Sequence, residues 1–359
     1  MVAYIDQARE AFRLHAWGDA YAHLSALDAD GSLAPEDLDR LARAAYLTGR
    51  DPDCEDTWVR AHKAFLDAGE VAQAARCAFW LGLVLFNRGE EARGGGWIGR
   101  AGRLVAELGP DCVEQGYLLL PAGLGRLGAG EPGEAVELFD GALDVAERFG
   151  EPDLRALSRL GAGQALIAAD EPDRAVRALD EAMVTVETGG VSTVVTGIVY
   201  CGVILQCRRL LDLRRAQEWT RVLSAWCDAQ PDLVPYRGQC LVHLSELAQL
   251  RGDWQAAIAE AERVRAAVGP AGAVGDRGRA LPAGGAAPAA GRVRRRRARV
   301  RPGQPSGSGA PPGAGAAALG TGSARRRGGC HPPRRRGGAG ARRPCEGARR
   351  VRGHHARDR

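Results

Sequence analysis

Few side chains in this sequence have the type and spacing that catalysis requires. Its only lysine, Lys63, lies outside any glycine-rich loop, which excludes a Walker-type phosphate site. There is no serine nucleophile elbow, and paired acids such as Glu90 and Glu91 are typical of helix starts and solvated faces. We therefore predict a protein that is not an enzyme, with no catalytic residues and no cofactor.

The histidines and cysteines lack the spacing of metal ligands. There is no His-Glu-x-x-His motif and no Cys-x-x-Cys pair. The sequence also contains no secretory signal and no apolar run of about 18 residues that could span a membrane. It thus predicts no metal site, no membrane partner and a cytoplasmic protein. Reduced, buried thiols are expected at the cysteines in predicted helices: Cys77, Cys201, Cys207, Cys227 and Cys240.

The secondary structure of the chain is clearest in residues 116–150. Two stretches of helical apolar spacing flank the break GAGEPG at residues 128–133. Gly130 permits a tight turn there, and Pro132 suits the first turn of the second helix. The small residues Gly123, Ala135 and Ala142 allow the two helices to approach closely, and Phe139 supplies one bulky ring between them. This alternation of small and large residues resembles the tetratricopeptide repeat.

The same pattern of a turn residue and a small residue recurs along the chain. A turn residue is followed five positions later by a small residue in six places: Gly49/Cys54, Gly89/Gly94, Gly130/Ala135, Asp170/Ala175, Leu211/Ala216 and Gly252/Ala257. Successive copies are 40 or 41 residues apart, longer than the standard repeat of about 34 residues. The period predicts an all-α fold, a tetratricopeptide-like α-α superhelix of about 40-residue helical hairpins. Six or seven such hairpins are expected through about residue 268.

One segment conflicts locally with this prediction. Residues 191–205 are rich in β-branched side chains and, taken alone, could form a strand. Their position in the repeat favours a helix. A second irregularity is the run Gly94-Gly95-Gly96 inside a predicted helix, which we interpret as close packing rather than a kink.

Charge divides the chain into two unlike parts. Residues 1–270 carry 27 basic and 41 acidic side chains, a balance of −14, whereas residues 271–359 carry 22 arginines and three acids, a balance of +19. No aromatic residue follows Trp254. We predict a helical repeat array at residues 1–269 and a disordered, basic Arg/Gly/Pro/Ala-rich tail at residues 270–359, because the tail has too few apolar side chains to form a core.

Several phrases in the array are similar to the tetratricopeptide sensor region of LuxR-type transcription regulators. They are AARCAFWLG at 74–82, DCVEQGYLLLP at 111–121, AQEW at 216–219 and WCDAQPDLVPYRGQCLVH at 226–243. The resemblance covers about residues 1–269. It implies signal or partner binding by the array, followed in such regulators by more repeats and a C-terminal helix-turn-helix that binds DNA. That end is missing here, so we expect no sequence-specific DNA binding by this chain.

The tail has two interpretations. Taken as written, it is a polycationic arm that binds nucleic acid non-specifically through phosphates. Alternatively, the reading frame shifts between about residues 265 and 281. Back-translation of residues 281–294 with high-GC codons, read one base later, permits YQLAELHRLRGEF, the start of another repeat. We expect the frame shift, because repeat arrays seldom stop without a cap.

A repeat array presents one helix of each pair along a concave groove, which predicts a protein, a peptide or a small signal ligand as the partner. A stand-alone adaptor with a basic tail is the alternative function. Any one groove candidate could instead pack between neighbouring hairpins. By analogy with the tetratricopeptide pattern, the candidates are Tyr117, Leu120, Leu124, Gln164, Ile198, Cys201, Tyr236, Arg237, Gln239 and Glu246.

The last hairpin in the pattern, residues 236–267, has apolar positions that a following repeat would normally cover. The polar tail cannot cover them, so we expect local fraying or self-association at this end. The positions concerned are Leu241, Leu244, Leu247, Leu250, Ala257, Ile258, Ala261 and Val264.

Overall fold

A computed structural model describes residues 2–31, 33–109, 111–230 and 232–268, and these ranges contain fourteen α-helices, one 3-10 turn (Asp28–Asp30) and no strand. The helices are α1 (Val2–Arg13), α2 (Trp17–Leu27), α3 (Pro35–Leu47), α4 (Asp51–Asp67), α5 (Val71–Asn87), α6 (Glu91–Leu108), α7 (Glu114–Ala129), α8 (Pro132–Phe149), α9 (Pro152–Ala168), α10 (Pro172–Glu187), α11 (Thr193–Arg209), α12 (Leu213–Asp228), α13 (Pro235–Leu250) and α14 (Trp254–Val268). The predicted tail, residues 270–359, lies outside the described residues.

The helices pair in chain order into seven hairpins, from α1–α2 to α13–α14, and all belong to one compact unit. The second helix of each hairpin packs against the first helix of the next, most extensively at α8 and α9. Successive first helices also touch, as α9 and α11 do. This is the packing of a tetratricopeptide-like array, so the all-α prediction is confirmed.

The six periodic turn residues share one backbone conformation. Their φ angles lie between 58° and 78°, the left-handed region. Each is followed by an N–H that bonds back five residues, as Glu131 N does to Arg126 O at 2.9 Å. At Leu211 the left-handed conformation brings the β-carbon close to the backbone, a steric strain of roughly 1 kcal/mol. His15 adopts the same turn, so the first hairpin shares the pattern with a spacing of 34 residues to Gly49.

The small residues that follow the turns are buried at the contact between paired helices. A β-carbon added at Gly94 would lie 3.0 Å from the Gly82 carbonyl oxygen, which confirms close packing at that glycine. Gly95 and Gly96 face open space and have no such role. Around Phe139, a β-carbon at Gly123 would come within 2.8 Å of the ring, as the pattern of small and large residues predicts.

The strand-like segment, residues 191–205, is helical from Thr193 onward, as the repeat phase predicts. Helix α11 begins after Ser192, whose Oγ accepts a hydrogen bond from Val195 N at 3.4 Å. Nearly the whole helix is buried between α9, α12 and α13. A helix surrounded on several sides needs apolar residues all round, which explains why its composition gives no helical periodicity.

The array curves until its sixth hairpin meets its first two, a feature that the repeat pattern does not reveal. Trp17 Nε1 donates to Gln230 Oε1 at 2.9 Å in a buried contact. Val234 N donates to Leu47 O at 2.9 Å, and Gly18 N donates to the Asp232 carboxylate at 3.2 Å. We call these three hydrogen-bonded pairs, which join the segments around Trp17 and Leu47 to the α12–α13 connector, the closure contact.

The cysteines in the described helices are free and mostly buried, as predicted. Burial raises the pKa of Cys207 and of Cys227 to about 12, so both thiols stay protonated at neutral pH. None of the described helices combines the length and apolar character that a bilayer crossing requires.

Candidate functional site

A cavity of about 1090 Å³ lies on the side of the array formed by the first helices of the hairpins. Its wall includes parts of α1, α3 and α5, together with the starts of α7 and α11. Five arginines contribute to the lining, and we call it the arginine cavity: Arg9, Arg13, Arg40, Arg43 and Arg76.

Two of these arginines are held by a buried acid at the start of α3. Arg9 donates to Asp37 through Nε at 3.0 Å and Nη2 at 2.7 Å, and Arg40 donates through Nη1 at 2.6 Å. Asp37 is 1% exposed. Burial acts to raise the pKa of Asp37, but the hydrogen bonds from both arginines outweigh it and lower the pKa. The acid is therefore charged at neutral pH and fixes the two guanidinium groups.

Arg43, one turn further along α3, is fixed in a similar way. Its Nε donates to Asp39 Oδ2 at 2.7 Å, while Asp39 Oδ1 accepts from Trp58 Nε1 at 2.9 Å. The guanidinium lies 5.7 Å from the centre of the Trp80 ring. Burial acts against the charge of Arg43, but Asp39 outweighs it and the pKa of Arg43 is raised.

Arg76 on α5 joins the cavity to the third and fourth hairpins. It lies 5.0 Å from the centre of the Tyr117 ring and donates through Nη2 to Glu114 Oε1 at 2.9 Å. Tyr117 in turn donates to Glu151 Oε1 at 2.7 Å. Burial raises the pKa of Tyr117, which remains a neutral donor.

Another part of the wall is the start of α11. Residues 191–194 line the cavity there, and Ser192 N donates to Asp153 Oδ1 at 2.7 Å. Burial raises the pKa of Asp153. The backbone N–H groups in the first turn of a helix lack partners within the helix, and its dipole is positive at this end. At α11 this end already has two partners, because Asp153 accepts from Ser192 N and Ser192 Oγ accepts from Val195 N.

Apolar side chains complete the cavity. Phe12 and Trp17 meet edge to face with ring centres 5.2 Å apart, and Phe65 and Phe149 reach the cavity from the ends of α4 and α8. The site can thus contact both charged and apolar groups of a ligand. Within the described residues, no three His, Cys, Asp or Glu side chains are grouped as metal ligands.

The ten groove candidates from the sequence do not line this cavity. Tyr236 donates to Val194 O at 2.7 Å, which joins α13 to the cavity wall, and Arg237 donates to Cys227 O at 2.9 Å. Glu246 pairs with Arg208 of the preceding hairpin. Six candidates are buried between helices (Tyr117, Leu120, Gln164, Ile198, Cys201 and Tyr236), and four are partly exposed (Leu124, Arg237, Gln239 and Glu246).

The sequence reasoning missed the arginines of the first three hairpins. One signal was present: Arg9 and Arg43 each lie six residues before a left-handed turn residue, His15 and Gly49. They therefore occupy the same position in two successive hairpins. The register is visible only when His15, which is not a typical turn residue, is recognised as a turn.

Comparisons with known proteins add little to this description. No protein-family model matches the chain, and no curated protein sequence matches it. Among solved structures, the crystal structure of BtubC (BKLC) from P. vanneervenii is similar, with 16% identity over 74% of this chain and 88% of that chain and a TM-score of 0.34. The TPR domain of P58(IPK) has 14% identity over 74% of this chain and 72% of that chain, with a TM-score of 0.26. The assignment of the fold rests on the helix pairs and turns of the chain itself.

Proposed function

We propose that this chain binds a partner or signal ligand on its concave side and is the sensor array of a LuxR-type transcription regulator. The observation that carries the binding function is the arginine cavity, about 1090 Å³ in volume and lined mainly by first helices. Helical repeat arrays use such concave surfaces for binding. The LuxR assignment is supported by the sequence phrases at 74–82 and 226–243.

The gene tests the regulator assignment directly. Resequencing the transcript across codons 265–281 and reading the alternative frame should reveal further repeats and then a helix-turn-helix. A stop codon or an unrelated sequence in that frame would count against a LuxR-type regulator and leave the binding function standing.

A stand-alone adaptor with a nucleic-acid-binding tail is the second candidate. The observation that favours it is the 22 arginines of residues 271–359. The full chain should then bind DNA without sequence preference, with an affinity that falls steeply as salt rises, and residues 1–270 should not bind. Specific binding by the shorter chain would rule out both candidates as stated.

A further inference from the structure

We propose that the contact between the second and third hairpins is a pH-sensitive switch, in which protonation of His62 breaks its hydrogen bond with Arg100 and loosens α4 from α5 and α6. The switch is a property of the folded array itself and goes beyond the proposed binding function. It follows from the hydrogen bonds of the His62 ring, from the burial of that ring, and from the charged groups around it.

The His62 ring connects three helices. His62 lies on α4, its Nδ1 is 2.8 Å from Ala74 O of α5, and its Nε2 is 2.6 Å from Arg100 Nε of α6. The ring also meets Trp97 of α6 edge to face, with ring centres 5.3 Å apart. Gln73, next to Ala74, lines the arginine cavity, so this connection also supports one wall of the proposed binding site.

The two hydrogen-bond partners fix the protonation state of the ring. A carbonyl oxygen only accepts, so Nδ1 of His62 must carry a hydrogen to bond Ala74 O. A guanidinium only donates and stays charged, so Nε2 must be the unprotonated nitrogen that accepts from Arg100. The neutral ring therefore satisfies both bonds. A second proton, on Nε2, would oppose two donors and two positive charges, and the contact with Arg100 must then break.

The surroundings of the ring do not compensate a positive charge. His62 is 3% exposed. Among the described residues, Arg100 is the only charged group that shifts the pKa of His62, and no titratable side chain of α3 or α5 does so. Burial lowers the pKa of His62, the hydrogen bond to Ala74 O opposes this change, and the charge of Arg100 adds to it. The folded array therefore resists protonation of His62.

The direction of the pH dependence follows from this lowered pKa. Above the ordinary histidine pKa of about 6.5, His62 is neutral whether the contact is closed or open, and its contribution to stability is fully present. As the pH falls below about 6.5, an exposed imidazole takes up a proton that the closed contact excludes. The contribution is lost as the pH falls through the lowered pKa, so acid favours the open contact.

Hydrogen exchange of the full chain at pH 7.5 and pH 5.5 tests the switch, with protection factors taken against the intrinsic rate at each pH. We expect protection in α4–α6 to fall roughly tenfold at the lower pH, the factor that corresponds to one pKa unit, and protection in α8–α10 to change little. His62→Gln should abolish the fall, because an amide can donate to Ala74 O and accept from Arg100 at either pH.

The matched control is His243→Gln. His243 is 2% exposed, like His62, but its Nδ1 faces the Glu246 carboxylate at 3.7 Å. The acid-induced loss of protection in α4–α6 should persist in this variant. An equal loss in His62→Gln and the wild type would overturn the proposal.

Nitrogen-15 NMR of the wild-type ring gives a second test that does not depend on the folding of His62→Gln. At pH 7.5 we expect a protonated Nδ1 and an unprotonated Nε2, with a titration midpoint below about 6.5. Arg100→Met keeps the aliphatic stem but removes the donor, so it should raise the midpoint and reduce the loss of protection. Arg103→Met, an exposed position one turn further along α6, should leave both unchanged. A protonated Nε2 at pH 7.5, or a midpoint at or above about 6.5, would contradict the switch.

Discussion

The sixth and seventh hairpins have related sequences but different burial. In α12, Ala216, Thr220 and Leu223 are fully buried. The residues 41 positions later in α14 are a buried Ala257, an exposed Ala261 and a half-buried Val264. The difference lies in the neighbour, because α13 packs on α12, whereas no described helix follows α14.

The apolar side chains of the seventh hairpin show the same effect. Leu241, Leu247 and Ala257 are buried, while Trp254 is 64% exposed and Ile258 is 54% exposed. The apolar face of α14 that stays exposed is therefore the one that a following helix would cover. Stability in such an array depends on these contacts between neighbours.

The largest expected effect comes from adding a hairpin next to α14. Replacing the residues after 268 with a further helical hairpin of the same pattern should cover roughly 200 Å² of apolar surface, worth about 5 kcal/mol at 25 cal/mol per Å². Hydrogen exchange of residues 236–267 should then slow to the level of residues 193–228. Equal protection of residues 236–267 with and without the extension would contradict the comparison.

Truncation of matched core residues should give the next largest effect. Leu223→Ala removes a fully buried side chain and should lower the free energy of unfolding by about 2–5 kcal/mol. Val264→Ala, at the equivalent position of α14, should cost about 1 kcal/mol or less because Val264 is only half-buried. Urea denaturation of residues 1–268 measures both, and equal losses would show that α14 is covered in solution.

The closure contact should have a smaller effect. Gln230→Ala leaves the buried Trp17 indole N–H without its acceptor, which costs about 1–3 kcal/mol. We expect faster hydrogen exchange at the start of α2 and little change in α8. Gln239→Ala, a partly exposed glutamine of the next helix, is the control and should leave exchange at α2 unchanged.

The smallest effect on stability is expected at Thr220 of α12 and at the equivalent Ala261 of α14. Thr220 Oγ1 donates to Ala216 O at 2.6 Å and its side chain is fully buried, so Thr220→Ala should cost about 1 kcal/mol. The reverse change in α14, Ala261→Thr, should cost about 0.5 kcal/mol through helix propensity alone. A large loss from Ala261→Thr, seen by thermal unfolding, would mean that a partner covers this face.

Sequence reasoning succeeded where the determinants are local. The left-handed turns at Gly130 and Asp170 and the small residues that follow them recur at fixed spacing because every hairpin faces the same steric problem. The helix at residues 191–205 was predictable only from its place in the repeat, since its burial on several sides removes the amphipathic signal. The groove candidates, such as Ile198 and Tyr236, were chosen by analogy, and the structure buries both between helices.

The sequence by itself therefore determined the helices, their turns, the pairing into hairpins and the small residues that permit close approach. Only the tertiary structure decided the closure of the array onto Trp17 and Leu47 and the grouping of Arg9, Arg43 and Arg76 around one cavity. The physical reason is that curvature is the sum of small rotations between successive hairpins. Those rotations depend on the packing of every interface, so residues about 190–210 positions apart meet without any pattern in the sequence that relates them.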